Sequence, residues 1–189
     1  MKHIASYKLF EDESQTMSFW HGGNLENAIQ ARSGRWEYGP GLYLTTNWHT
    51  AKSFAKGSRK LYMVTVEKGV NIREASIDVD VVKNFVNSYA IKTTRKEIIT
   101  SIDRHNKNGK IQGEIFLNII INNKAIKNTN TEDLRKFFVD NGIDYSLVDN
   151  AYGWGEKMMV LFNMNKVKIK RVVKPTDDIE IYDLPTEFS

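Results

Sequence analysis

Residues 38–55 read YGPGLYLTTNWHTAKSFA. Gly39, Pro40 and Gly41 break any regular element, and Leu42–Leu44 then reads as a short strand. Asn47 follows as a helix N-cap, with Gly57 as the stop two residues past the quoted run. Ala51, Phe54 and Ala55 recur at i, i+3, i+4, which predicts that they share the inner face of this helix. A strand entering a short helix is thus the local unit from which the rest of the chain is read.

Outward from this unit the first part of the chain is β-rich. Strands are expected around Thr16–Trp20 and Lys60–Val66; in KLYMVTVEKG, Leu61, Met63 and the two valines alternate and the run ends on Gly69. A further short helix fits NLENAIQARSG, with Asn24 as N-cap and Gly34 as stop. From about residue 78 to 140 the period changes to helical. Val81, Val82, Phe85, Val86 and Tyr89 form one helical set, and Ile98, Ile99 and Ile102 a second that ends in the polar run IDRHNKNGK. GEIFLNIIINNKAI reads as a buried helix, and TEDLRKFFVDNG as one with Thr131 as N-cap and Gly142 as its C-terminal stop.

Strands then return. IDYSLVD and KMMVLFN flank the loop NAYGWGE, and KVKIKRVV follows as an alternating edge strand whose Lys166, Lys168 and Lys170 project to one side. The tail PTDDIEIYDLPTEFS is expected to add one edge strand and then fray. At 189 residues the default is one domain, residues 1–189, of class α+β, with a helical insertion over about 78–140.

Composition narrows the chemistry. Hydrophobic residues make up 41% and charged residues 26%, an ordinary globular balance. The absence of cysteine excludes disulfides, zinc–thiolate sites and cysteine nucleophiles. His3, His49 and His105 lack metal-ligand spacing with acids, and no Walker or Rossmann glycine motif occurs, so no metal is expected. No apolar run approaches the ~20 residues of a membrane span. The N-terminus lacks the apolar core of a signal peptide. The expectation is a soluble cytoplasmic protein with no membrane partner. The net charge of +4 permits an anionic partner such as nucleic acid.

Three glycine-flanked stretches carry the candidate chemistry: WHGG with His21, Gly22 and Gly23; YGPGLYLTTNWHTAKSFA with Tyr43 and Phe54; and YGWGEKMMVLFN with Glu156. Each lies at or beside a predicted strand edge, where glycine lets another group approach the backbone. Taken singly, His21 reads as a core histidine, Tyr43 as a core tyrosine and Phe54 as core or ligand wall. Glu156 has little structural reason to stand between Gly155 and a buried strand. Glu67 and Glu114 compete with it, but look like a strand-end and a helix-start charge.

Together and in this order the three stretches resemble the His-Tyr-Glu class of ADP-ribosyltransferases, the diphtheria-toxin and poly(ADP-ribose)-polymerase side of that superfamily. His21-Gly22-Gly23 resembles the family's His-Gly-Thr/Ser strand, and GPGLYL its Gly-x-Gly-(Ile/Leu)-Tyr-(Phe/Leu) motif. Phe54 stands eleven positions after Tyr43, where the family has a second aromatic ring. GEKMMVLFNMNKVKIK resembles the glutamate-bearing strand of bacterial and phage members. The motifs cover well under half of the chain.

The resemblance implies split antiparallel β-sheets around an NAD cleft, with NAD+ as co-substrate. It implies transfer of ADP-ribose to a macromolecular acceptor, nucleic acid being favoured slightly over protein. A carboxylate at Glu156 would stabilise the oxocarbenium-like ribose, Tyr43 and Phe54 would sandwich the nicotinamide, and Gly22 would offer backbone to its carboxamide. His21 would donate a hydrogen bond to the adenosine ribose. Arg32 and Arg35, between the histidine and tyrosine motifs, read either as pyrophosphate contacts, since arginine suits phosphate, or as plain surface charges. Tyr152 and Trp154, in the loop before Glu156, would either contact the acceptor or anchor the loop to the core. Gly23 departs from the family's Thr or Ser, so one hydroxyl contact is missing. Trp154 stands where the arginine- and asparagine-modifying toxin classes carry Glu or Gln. The small size suggests a bacterial toxin, of a toxin–antitoxin pair with an antitoxin or inhibitor as partner, or a phage effector. An NAD+ glycohydrolase and an inactive NAD-binding or protein-interaction module remain the alternatives.

Overall fold

A computed structural model describes residues 16–25, 38–55, 60–151 and 155–174. Its main layer is one six-stranded sheet in the order β6-β7-β2-β1-β3-β8, antiparallel throughout. The strands are β1 (Thr16–Gly22), β2 (Leu42–Thr45), β3 (Leu61–Glu67), β6 (Tyr145–Asp149), β7 (Lys157–Leu161) and β8 (Val167–Val173). β4 (Ser76–Asp78) and β5 (Lys110–Gln112) form a separate two-stranded sheet. The helices are α1 (Trp48–Phe54), α2 (Val79–Tyr89), α3 (Arg95–His105), α4 (Gly113–Asn122) and α5 (Thr131–Asp140). The class is α+β, as the periodicity predicts. Among the described residues no helix is long and apolar enough to cross a membrane.

The six-stranded sheet has a weak joint. β1 and β3 register along their whole length, from Thr16↔Glu67 to Gly22↔Leu61. β1 and β2 register at Trp20↔Thr45 alone. The sheet is therefore two three-stranded halves held across a seam.

On one face the two halves serve different cores, and on the other they share one. Pairing places Trp20, Thr45 and Met158 on one face, and strand alternation puts Tyr43, Val160 and Phe162 on it as well. The helical unit docks on this face through Val160 and Phe162. Phe138 stacks on Phe162 at 4.9 Å, Phe85 meets Phe137 at 4.5 Å, and Phe116 meets Phe137 at 5.5 Å. The opposite face buries Met17, Phe19, Leu44, Val64, Met159 and Leu161, drawn from both halves. α1 covers the β1 end of the first face, with Trp48 edge-on to Trp20 at 5.0 Å.

Several local expectations change. Asn47 does cap α1, accepting from the backbone of His49 and Thr50, but Phe54 leaves the inner face and is 59% exposed; Trp48 packs inward with Ala51 and Ala55. Thr131 is the first residue of α5 rather than its cap, and its hydroxyl donates to the Asn128 carbonyl. Gly142 does end that helix, with a positive φ of 74° that glycine adopts freely. The alternation of Lys166, Lys168 and Lys170 is broken by a bulge: Val64 pairs with Ile169 and Met63 with Arg171, leaving Lys170 as the extra residue. The expected helix after Asn24, beyond Leu25, the Gly57 stop and the tail after Lys174 lie outside the described residues.

Candidate active site

The seam determines what Gly22 can do. In an antiparallel ladder, successive residues turn their backbone groups to opposite edges. The Gly23 N–H donates to the Lys60 carbonyl at 3.2 Å, so Gly23 and His21 serve β3, and the N–H and C=O of Gly22 face β2. The next pair across to β2 would join Gly22 with Tyr43, and no such registered pair follows Trp20↔Thr45. Instead the His21 ring reaches the carbonyl of Tyr43, with Nδ1 2.9 Å from the oxygen. The Cα of Gly22 faces α1: a Cβ there would lie 1.7 Å from the Ala51 carbonyl oxygen. Glycine is thus required by helix packing, and its peptide groups are turned to the seam.

A carbonyl only accepts, so Nδ1 of His21 carries the proton. Burial holds the ring's pKa below its ordinary 6.5, against the opposing pull of the Tyr43 carbonyl. The ring is therefore neutral at pH 7, and Nε2 presents a lone pair. In this tautomer Nε2 accepts a hydrogen bond and cannot donate one. Gly23 lies beside that nitrogen at φ +145°, a region unfavourable to side-chain-bearing residues. A Cβ at position 23 would lie 3.2 Å from Nε2. The hydroxyl residue of the family pattern cannot enter here without strain.

Tyr43 is half-buried and packs against the helical core. Its hydroxyl donates to the Gly39 carbonyl at 2.9 Å and accepts the Tyr38 N–H at 3.2 Å. Phe54 projects to solvent one turn after Ala51 and next to Ala55, the two residues whose backbone meets Gly22.

Glu156, the residue before β7, is 5% exposed. Its Oε1 accepts the Thr45 hydroxyl at 2.5 Å, and its Oε2 accepts the Thr50 hydroxyl at 3.0 Å and the Asn47 amide at 3.3 Å. Thr46 clamps the adjoining backbone by donating its N–H to the Lys157 carbonyl and accepting the Lys157 N–H, each at 3.0 Å. The competing carboxylates are otherwise engaged: Glu67 pairs with Lys168 at 2.6 Å and Glu114 with Arg73 at 2.8 Å.

The three motifs therefore meet on β2, whose Tyr43 carbonyl touches His21 and whose Thr45 hydroxyl touches Glu156. His21 and Glu156 are not brought into contact with each other. Alternation sets His21 on the face opposite Trp20, while Glu156 bonds to Thr45 on the Trp20 face. Arg35, Tyr152 and Trp154, like Arg32, lie outside the described residues. Thr45, Asn47 and Thr50 join the site only through the fold. The signal was indirect: a buried carboxylate needs donors, and TTN follows the tyrosine motif directly. Among the described residues no group of three or more His, Asp or Glu is placed to hold a metal ion.

No protein-family model and no curated protein matches this chain. Among solved structures, the crystal structure of an anti-CRISPR protein aligns with 12% identity over 85% of this chain and 97% of that chain, at a TM-score of 0.41. A likeness of that size carries no weight for fold or activity.

Proposed function

We propose that this chain cleaves NAD+ at the β1–β2 seam and transfers ADP-ribose to a macromolecular acceptor. The observation that supports the reading best is the meeting of three sequence-distant motifs on one strand: β2 touches His21 through Tyr43 and Glu156 through Thr45.

The residues present suit the substrate. NAD+ has two riboses joined by a pyrophosphate, so one molecule can reach two sites that do not touch. His21 Nε2 accepts from a hydroxyl of the adenosine ribose. The Gly22 N–H and C=O offer the donor–acceptor pair that the nicotinamide carboxamide needs. Tyr43 and Phe54 supply aromatic faces for its ring. In the reaction the bond between ribose C1′ and the nicotinamide nitrogen breaks, and its electron pair leaves with the nicotinamide. Positive charge then develops on the ribose, where the Glu156 carboxylate stabilises it. A lone pair of the acceptor closes the new bond to C1′, and the acceptor gives up its proton to Glu156 or solvent.

Nucleic acid is the acceptor class proposed. It rests on the net charge of +4 and on the exposure of Lys168, Lys170 and Arg171 along β8. The test incubates the chain with adenylate-labelled NAD+ and cell lysate, then digests with nuclease or protease. Label released by nuclease supports this reading. Label released by protease moves the acceptor to protein, and nicotinamide without labelled macromolecule identifies a glycohydrolase. No nicotinamide release at all overturns the enzyme reading.

A further inference from the structure

The buried carboxylate of Glu156 is not held symmetrically. Thr45 is itself buried, 5% exposed, and its hydroxyl already accepts the Asn47 N–H at 2.9 Å. The one proton it carries is thereby directed to Glu156 Oε1, at 2.5 Å. On the other oxygen the donors are longer and both come from the start of α1: Thr50 at 3.0 Å and Asn47 at 3.3 Å. The Asn47 amide is oriented by its capping role, because its Oδ1 accepts the His49 and Thr50 N–H groups. β2 therefore grips Oε1, and α1 covers Oε2.

Resting on the NAD-cleaving reading above, we infer that Thr45 is a positioning residue: it fixes Glu156 Oε1 so that Oε2 is the oxygen turned to the ribose. All three bonds to the carboxylate are charge-assisted, but the Thr45 bond alone comes from the sheet, to Oε1, while the other two come from the start of α1, to Oε2. Thr45 also stands two residues after Tyr43 on the same strand. The contact that sets His21 and the contact that sets Glu156 thus share one rigid segment, and Thr45 keeps the carboxylate in register with the rest of the seam. A purely structural Thr45 would satisfy a buried acid and do nothing more.

The two roles separate in steady-state nicotinamide release from NAD+, measured on the full chain for the wild type, Thr45→Val, Thr45→Ser, Glu156→Gln and Thr45→Val/Glu156→Gln. Thr45→Val keeps the shape and removes the hydroxyl. It is expected to lower kcat by roughly tenfold to a hundredfold, the worth of one hydrogen bond to a charged group, with KM for NAD+ little changed. Thr45→Ser is expected to restore most of that loss, and the double variant to match Glu156→Gln alone. If Thr45→Val does not fold, Thr45→Ala, which leaves room for a bridging water, replaces it in the same comparison. An unchanged kcat, a loss confined to KM, or an additive loss in the double variant would overturn the positioning role while leaving the NAD reading intact. Absence of nicotinamide release from the wild type overturns the NAD reading itself, and this role with it.

Discussion

Tyr43 and Thr45 lie two residues apart on β2, yet the groups they hold are in opposite conditions. The Tyr43 carbonyl accepts a hydrogen bond from His21 Nδ1, and Nε2 keeps a lone pair. Thr45 and the start of α1 engage both oxygens of Glu156, and the carboxylate is almost fully buried. Under the proposed function, Nε2 is the group that takes a ribose hydroxyl. In that proposal a ribose hydroxyl at the glutamate end competes with Thr50 and Asn47 for Oε2. The proposed function thus places binding at the first end and chemistry at the second, beside the donors that surround Glu156.

Glu156→Gln strikes the chemical end hardest. It removes the charge and turns an amide N–H toward neighbours that are all donors. The expected result is a fall in kcat of about 10²–10³-fold for nicotinamide release, the scale seen when one electrostatic contact to a transition state is lost. Near-wild-type turnover would end the assignment of chemistry to this side.

Gly22→Ala strikes the seam. The added Cβ meets the Ala51 carbonyl at 1.7 Å, so α1 must shift, and with it Asn47 and Thr50. A loss of roughly 1–3 kcal/mol is expected, as for overpacking in a core, measured by urea denaturation. Wild-type stability would mean that α1 does not lean on β1 as described.

Much of this fold was legible in the sequence because its elements are strongly periodic. The strands of KLYMVTVEKG and KMMVLFN and the helix of TEDLRKFFVDNG carry their patterns locally. The β4–β5 pair was not, because three-residue strands have too few positions to show alternation. Phe54 misled for a related reason: helical spacing fits two adjacent stripes of a seven-residue helix, and the bulk of Trp48 decided which one faces the sheet. His21, Tyr43 and Glu156 were legible as types, through glycine-flanked motifs. Their polarity was not. The tautomer at His21 follows from a carbonyl 22 residues away in sequence, and the cage at Glu156 from donors more than 100 residues away. Such partners exist only once the sheet has formed.

Phe54→Ala probes the binding end with a milder effect. The side chain is 59% exposed, so folding stability is expected to stay within about 0.5 kcal/mol. If the ring stacks on nicotinamide, KM for NAD+ rises by roughly twofold to tenfold, the range of one aromatic contact. Unchanged KM would remove Phe54 from the site.

The smallest effect is on pH dependence. The unfolded His21 ring takes up a proton near 6.5, and the folded ring only at lower pH, because burial disfavours the charged form. The unfolded state therefore binds more protons in that window. Stability from this residue is full above about pH 6.5 and declines as pH falls through the window toward the folded value. His21→Gln should flatten that part of the curve in denaturation measured from pH 4.5 to 7.5, on the order of the imidazole titration range. An unaltered slope would mean that the ring is not buried neutral.

The direct test of the seam as the NAD site is a titration of the ¹⁵N-labelled chain with NAD+, following the Gly22 amide and the His21 ring nitrogens. The expected result is saturable shifts of the Gly22 N–H and of His21 Nε2, with Nδ1 keeping its proton. Saturable shifts elsewhere that leave Gly22 and Nε2 unmoved, or no shifts at any NAD+ concentration, would contradict it.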